Sequence, residues 1–305
     1  MAREIDSLNS AGQWLNSEPL AGAALRGRVV LVQFWTYTCI NWIRTLPYVR
    51  AWSERYREHG LVVVGVHTPE FPFERDLDNV REAARDMHVD YPIVIDNEYA
   101  IWGAFSNRYW PALYFVDAEG AIRHHHFGEG EYDSSERALE ELLREAGSDD
   151  VGSEVVTVVG DGVEAAADWG AIRSPETYLG MGAPRDRAPE DLRLNDWALS
   201  GDWSVAHQAA MLNGAEGRIA YRFHARDLHL VMGPAERGAA VPFRVLVDGQ
   251  APDGDHGVDV DEDGSGEVTQ KRLHQLIRQR GPVRERTFEI IFLAPGVEAY
   301  AFTFG

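Results

Sequence analysis

The chain has 305 residues, too many for one small core, so two domains are the natural expectation and one larger β structure the alternative. Its 29 Lys and Arg stand against 49 Asp and Glu, and a formal charge of −20 repels phosphate backbones and anionic lipid, which argues against nucleic-acid and membrane partners. A single cysteine, Cys39, excludes an intramolecular disulfide and any cysteine-rich zinc site and fits a reducing compartment.

The first residues, Met1-Ala-Arg-Glu-Ile-Asp, lack the basic start and apolar core of a secretory signal, and no run of about eighteen apolar residues occurs, so a cytoplasmic location is expected. From Arg28 to about Val159, short apolar runs alternate with longer amphipathic stretches, which reads as α/β. RVVLVQFW (28–35) and LVVVGVH (61–67) are rich in β-branched and aromatic residues, as strands buried on both faces are. Between them, 40–59 has helical spacing. Leu46, Val49, Trp52 and Tyr56 would form its buried stripe, with Arg50, Glu54 and Arg57 toward water, and Pro47 is expected to kink it.

A helix is predicted over 74–88 and strands over 91–96, 113–117 and 121–127, the last two joined by a hairpin at Ala118-Glu119-Gly120. An acidic helix over 133–145 closes this half, capped by Asp133, Ser134 or Ser135. The first domain is therefore placed at 1–147, and a Gly-, Ser- and Asp-rich start marks 148–190 as a linker with irregular structure. From 191 to 305, short alternating segments at 218–224, 228–232, 243–248, 286–293 and 299–304 read as an all-β sandwich or jelly roll.

In Phe34-Trp35-Thr36-Tyr37-Thr38-Cys39-Ile40-Asn41-Trp42 a buried strand gives way to a helix within a few residues, which puts Cys39 at or near a helix N-terminus. Unpaired backbone N–H groups and the helix dipole there favour a thiolate, while burial against Trp35 and Tyr37 would oppose it. Trp35, Tyr37, Trp42 and Trp110 are candidates for an aromatic pocket beside the thiol, and equally for core.

The run FWTYTCINW, with RTLP (44–47), GVHTPE (65–70), NRYWPA (107–112) and FGEGEY (127–132), resembles the soluble thioredoxin-like portion of DipZ-type thiol:disulfide interchange proteins, in the family's order over most of residues 10–145. The resemblance implies a thioredoxin-like α/β domain, a nucleophilic Cys39 and a cis-proline at Pro111 facing it; Trp35, Tyr37, Thr38, Asn41, Trp42 and Trp110 are the candidate substrate-binding residues beside that thiol. The departure is at position 42. Family members carry a second cysteine there, which resolves the mixed disulfide by intramolecular attack, and this chain has Trp42. Gln33 likewise stands where many thioredoxins have a buried acid.

Three functions follow. Cys39 acts as a monothiol on a disulfide, a glutathione adduct or a peroxide, with an external low-molecular-weight thiol or thiol protein completing the cycle. Alternatively, the fold binds or transforms a small molecule in the aromatic pocket, or it is a non-catalytic binding module. Thr36 resembles the Thr of a peroxiredoxin Thr-x-x-Cys, but the proline of the longer motif is replaced by Val32, so thiol exchange is favoured over peroxide reduction.

No cofactor is expected. His124, His125 and His126 cannot converge on one metal from a strand, because alternate side chains face opposite ways. Asp259, Asp261 and Asp263 with Gly264 have calcium-loop spacing, but the twelfth position is Gln270 in place of the bidentate glutamate, and an acidic turn is the plainer reading. SPETYLG (174–180), WALSGDW (197–203), FHARD (223–227), RLHQL (272–276) and the terminal YAFTFG resemble the carbohydrate-binding-module-like β domain of DipZ-type proteins. That resemblance makes Tyr178, Trp197 and Trp203 candidates for sugar stacking.

Overall fold

The computed structural model describes residues 4–10, 12–20 and 22–305. The chain divides into two units, Met1–Glu164 and Ala165–Gly305. The stretch expected to be a linker, 148–190, is thus shared between them. Its first part is held in unit one, where Val156 N–H donates to Glu136 and Glu164 pairs with Arg50 at 2.6 Å. Its second part contributes a strand to unit two.

Unit one has β1 (Trp14–Leu15), α1 (Gly22–Leu25), β2 (Val29–Trp35), α2 (Ile40–Tyr56), β3 (Leu61–His67), α3 (Leu77–Asp86), β4 (Ile93–Ile95), α4 (Ala100–Ala104), β5 (Ala112–Val116), β6 (Ile122–Phe127) and α5 (Tyr132–Glu145). The sheet order is β1-β4-β3-β2-β5-β6, with β2, β3 and β4 parallel, β5 antiparallel to β2, and β6 antiparallel to β5. The β-branched run of β2 puts it at the centre, and all seven of its residues are buried. On one face, Val30, Val32 and Phe34 pack with Val64, Val66, Val94 and Tyr114 against Ile101 and Phe105. Leu31, Gln33 and Trp35 alternate to the other face, which α2 and α5 cover.

Several boundaries move for identifiable reasons. The helix expected over 40–59 ends at Tyr56, because the backbone turns with His59 N–H on Tyr56 O and Gly60 at φ +97°. The helix continues through Pro47, and Arg50, expected toward water, is half-buried and bonded to Met87 O and Glu164. The helix expected over 74–88 is two pieces, a 3-10 turn at Pro72–Arg75 and then α3, which restarts where the Asp76 carboxylate accepts from Asp78 N–H. The cap of α5 is Glu131 at φ 48°, with no side-chain bond, and Asp133, Ser134 and Ser135 lie inside the helix. The strand expected over 91–96 shrinks to three residues.

Unit two has β7 (Thr177–Tyr178), β8 (Trp197–Ser200), β9 (Trp203–Val205), β10 (Ala210–Leu212), β11 (Gly217–Phe223), β12 (Asp227–Pro234), β13 (Val241–Val247), β14 (Ser265–Val268), β15 (Arg272–Arg278), β16 (Arg286–Phe292) and β17 (Val297–Phe304). They form two antiparallel sheets, β15-β12-β17-β10-β9 with β7 added to β17, and β14-β13-β16-β11-β8. Ile219, Tyr221, Phe223, Phe288, Ile290 and Phe292 of one sheet and Leu228, Leu230, Phe302 and Phe304 of the other share a single core, the arrangement of a β-sandwich.

That core also takes in two of the aromatics named for sugar stacking. Trp197 is a core residue, and Trp203 packs edge-on to Phe292 and donates its indole N–H to Ser200 O. Rings spent on packing have little face left for a sugar; Tyr178 is half-buried in β7. The calcium-loop spacing has a different use. Asp259 is bound to Arg272 at 2.6 Å and accepts Gln275 N–H, and Asp261 accepts Ser265 N–H, so these carboxylates pin the turn to β15 and β14.

Candidate active site

Cys39 is the N-cap of α2. Its amide donates to Thr36 O at 3.2 Å, its carbonyl takes Ile43 N–H at 3.0 Å to start the helix, and no side chain caps the first turn. The thiol is half-buried and lies 3.7 Å from Trp110 O, so it can donate its proton to that carbonyl. The Trp110–Pro111 bond is cis, and Gly128 N–H donates to Pro111 O at 2.9 Å, which ties this corner to the end of β6. Trp110 is held by its indole N–H on Thr68 O at 3.0 Å.

The structure brings Cys39, Trp110 and Pro111 together, the first two half-buried and Pro111 buried, with Asn41 half-buried at the start of α2. It withdraws the others. Trp35, Tyr37, Thr38 and Trp42 are closed to solvent. Trp42 stacks on Trp35 at 4.4 Å and 25°, Trp35 meets the edge of His67 at 4.9 Å, and Tyr37 stacks on His67 at 5.8 Å. A ring with no exposed face cannot stack on an incoming ligand, so these aromatics form the floor of the site rather than a pocket.

Two buried groups in this floor have surroundings that the sequence did not reveal. His67 is fully buried, neither ring nitrogen has a hydrogen-bond partner among the described residues, and burial pushes its pKa down to about 3, so the ring is neutral. Glu74 is also fully buried; its carboxylate accepts Thr38 Oγ1–H at 2.6 Å and the N–H groups of Glu70 and Phe71 at 2.6 and 2.8 Å. Burial pushes its carboxyl up, and these hydrogen bonds pull it down. A glutamate inside the apolar run Phe71-Pro72-Phe73-Glu74 was the available signal.

Gln33, on β2, accepts from Tyr91 OH at 2.7 Å and donates to Thr45 Oγ1 at 3.4 Å. Arg44 and Glu129 form an ion pair at 3.1 Å with 2 % and 7 % of their side chains exposed, which links α2 to the segment between β6 and α5. The histidines of β6 alternate, with His125 exposed and His124 and His126 half-buried, and no His/Cys/Asp/Glu group able to hold a metal occurs among the described residues.

Gly65 is where the aromatic floor most depends on the absence of a side chain. A Cβ there would lie 2.8 Å from Trp35 Nε1 and 3.0 Å from Tyr91 Cε2. Gly65→Ala is expected to cost about 1–3 kcal/mol of stability, read from urea unfolding, because neither ring can retreat from a packed core. An unfolding midpoint equal to that of the natural chain would show that the rings yield freely.

Residues 9–125 match the AhpC/TSA family and residues 174–305 match a domain described as thioredoxin like C-terminal domain. Protein DipZ of Mycobacterium tuberculosis is 38 % identical over 238 residues, which is 72 % of this chain and 34 % of DipZ, so the chain spans about a third of the length of that relative. Thiol-disulfide oxidoreductase YkuV of Bacillus subtilis is 28 % identical over 145 residues, 48 % of this chain and 97 % of YkuV. Among solved structures, a thioredoxin-like protein in the oxidized form is 31 % identical, with TM-score 0.40, over 43 % of this chain and 88 % of that one.

Proposed function

We propose that this thioredoxin-fold chain, a relative of the thiol:disulfide oxidoreductases, carries out monothiol exchange with Cys39 as its nucleophile. The observation that carries the reading is the pairing of a half-exposed thiol at a helix N-cap, beside a cis-proline, with a fully buried Trp42 three residues on. The helix N-terminus favours the thiolate. The thiolate attacks one sulfur of a substrate disulfide, forms a mixed disulfide on Cys39, and releases the other half as a thiol.

Trp42 offers no thiol to reverse that step from within. An external low-molecular-weight thiol or thiol protein attacks the mixed disulfide and leaves as the new disulfide, with Cys39 restored. A reducing compartment such as the cytoplasm would supply that thiol. The burial of Trp35, Tyr37 and Trp42 favours this reading over a small-molecule pocket lined by those rings.

Intact-mass measurement after incubation with oxidised glutathione tests it. One glutathione adduct per chain is expected, stable on removal of the disulfide and lost on adding a reduced thiol, with none on Cys39→Ser. A thiol that stays unmodified while ordinary thiols react would discard the oxidoreductase reading.

A further inference from the structure

Glu74 is fastened directly to the turn that carries the thiol, and the exchange steps above leave it unused. Its Oε1 holds the hydroxyl of Thr38, the residue before Cys39, and its Oε2 holds two backbone N–H groups of the segment after β3. No Arg, Lys or His pairs with it among the described residues. Glu74 bears electrostatically on Tyr99, which also feels Arg75, Glu70 and Asp96; Arg75 is the cation of that set and lies 3.5 Å from Glu98. His67, at the end of β3, is neutral.

An ionised carboxylate here and a thiolate at Cys39 are like charges in a setting that solvent screens poorly, so each makes the other harder to form. We propose that Glu74, acting through Thr38, is a positioning residue that holds the Cys39 turn and sets the pH range over which the thiol ionises. Charged, Glu74 opposes the thiolate; neutral, it keeps the turn in place without opposing it. The two groups then titrate as a pair. This assignment rests on Cys39 being the nucleophile of the exchange reaction.

Glu74→Gln separates charge from packing. The amide oxygen can take the N–H groups of Glu70 and Phe71, and the amide nitrogen can donate to Thr38 Oγ1, whose hydroxyl rotates to accept. The thiolate midpoint of Cys39, followed by its ultraviolet absorbance with Cys39→Ser as the blank, is expected to fall by about one pH unit in Glu74→Gln. Thr38→Val, which strips a donor from the carboxylate and so favours its neutral form, is expected to move the midpoint the same way by less, while Thr38→Ser leaves it in place. Coincident midpoints in the natural chain and Glu74→Gln would overturn the proposal. A thiol that ionises with the expected shift yet forms no mixed disulfide would instead count against the exchange reading and leave the role of Glu74 standing.

Discussion

Trp42→Cys is expected to lose about 3–5 kcal/mol of stability and to gain a reaction that the natural chain lacks. The loss follows from packing. The indole of Trp42 has no exposed surface and lies on Trp35 at 4.4 Å, and a cysteine fills only a small part of that space, so the floor loses contact on one whole face. The gain follows from position. Residue 42 is in the first turn of α2, three residues from the thiol at its N-cap.

A thiol introduced there can attack the Cys39 sulfur of a mixed disulfide, releasing the substrate half as a thiol and leaving an internal disulfide that an external dithiol can reduce. Because that attack is intramolecular, it is expected to outrun the bimolecular step that the proposed monothiol cycle requires. Insulin reduction in the presence of dithiothreitol, corrected for the uncatalysed rate, is the measurement, made below the variant's lowered melting temperature. A folded variant whose glutathione adduct persists as long as that of the natural chain would show that position 42 is not what sets monothiol behaviour.

The second large effect is on acid stability. His67 in unit one and His274 in unit two are both fully buried, and burial pushes each from the model-compound value of 6.5 down to about 3. Unfolded, these imidazoles take a proton at the higher value; folded, they refuse it until the lower one. Between the two the unfolded chain binds more protons, so stability is full above 6.5 and falls with pH through this window, by about 1.4 kcal/mol per pH unit for each histidine.

The buried carboxyls of Glu74 and Glu129 work against this, since burial raises both. Their contribution is present at low pH and is lost as pH rises through the raised value. His67→Phe keeps an aromatic ring between Trp35 and Tyr37 and removes the titrating group. Urea unfolding of unit one, followed at several pH values across the window, is expected to show a flatter dependence in that variant. An unchanged slope would mean that the unfolded chain does not protonate His67 at its ordinary pKa.

Much of the first unit was legible because its central strands are apolar without interruption. The runs at 28–35 and 61–67 read as strands covered on both sides, and a cysteine after the first read as lying near the start of the next helix. The motif order from FWTYTCINW to FGEGEY identified the thioredoxin-like fold. Helix ends were less legible, because they are set by backbone turns such as Gly60 and by bonds such as Asp76 to Asp78 N–H, which pattern alone does not locate.

In the second unit the long strands showed their alternation, while the three-residue strands at Trp203–Val205 and Ala210–Leu212 did not, being too short for a period to register. The acidic turn at 259–263 could be counted against a calcium loop, but not seen to clamp Arg272 and Gln275, since those partners are remote in sequence.

The sequence by itself determined the fold class and the single thiol at a strand-to-helix junction, because these are written in local order and composition, while the missing second cysteine was legible only through the family resemblance. Only the tertiary structure decided which aromatics are floor and which are surface, since burial depends on what other strands and helices bring to the same place. It alone placed Glu74 against Thr38, 36 positions away, where a carboxylate hidden from water bears on the Cys39 turn.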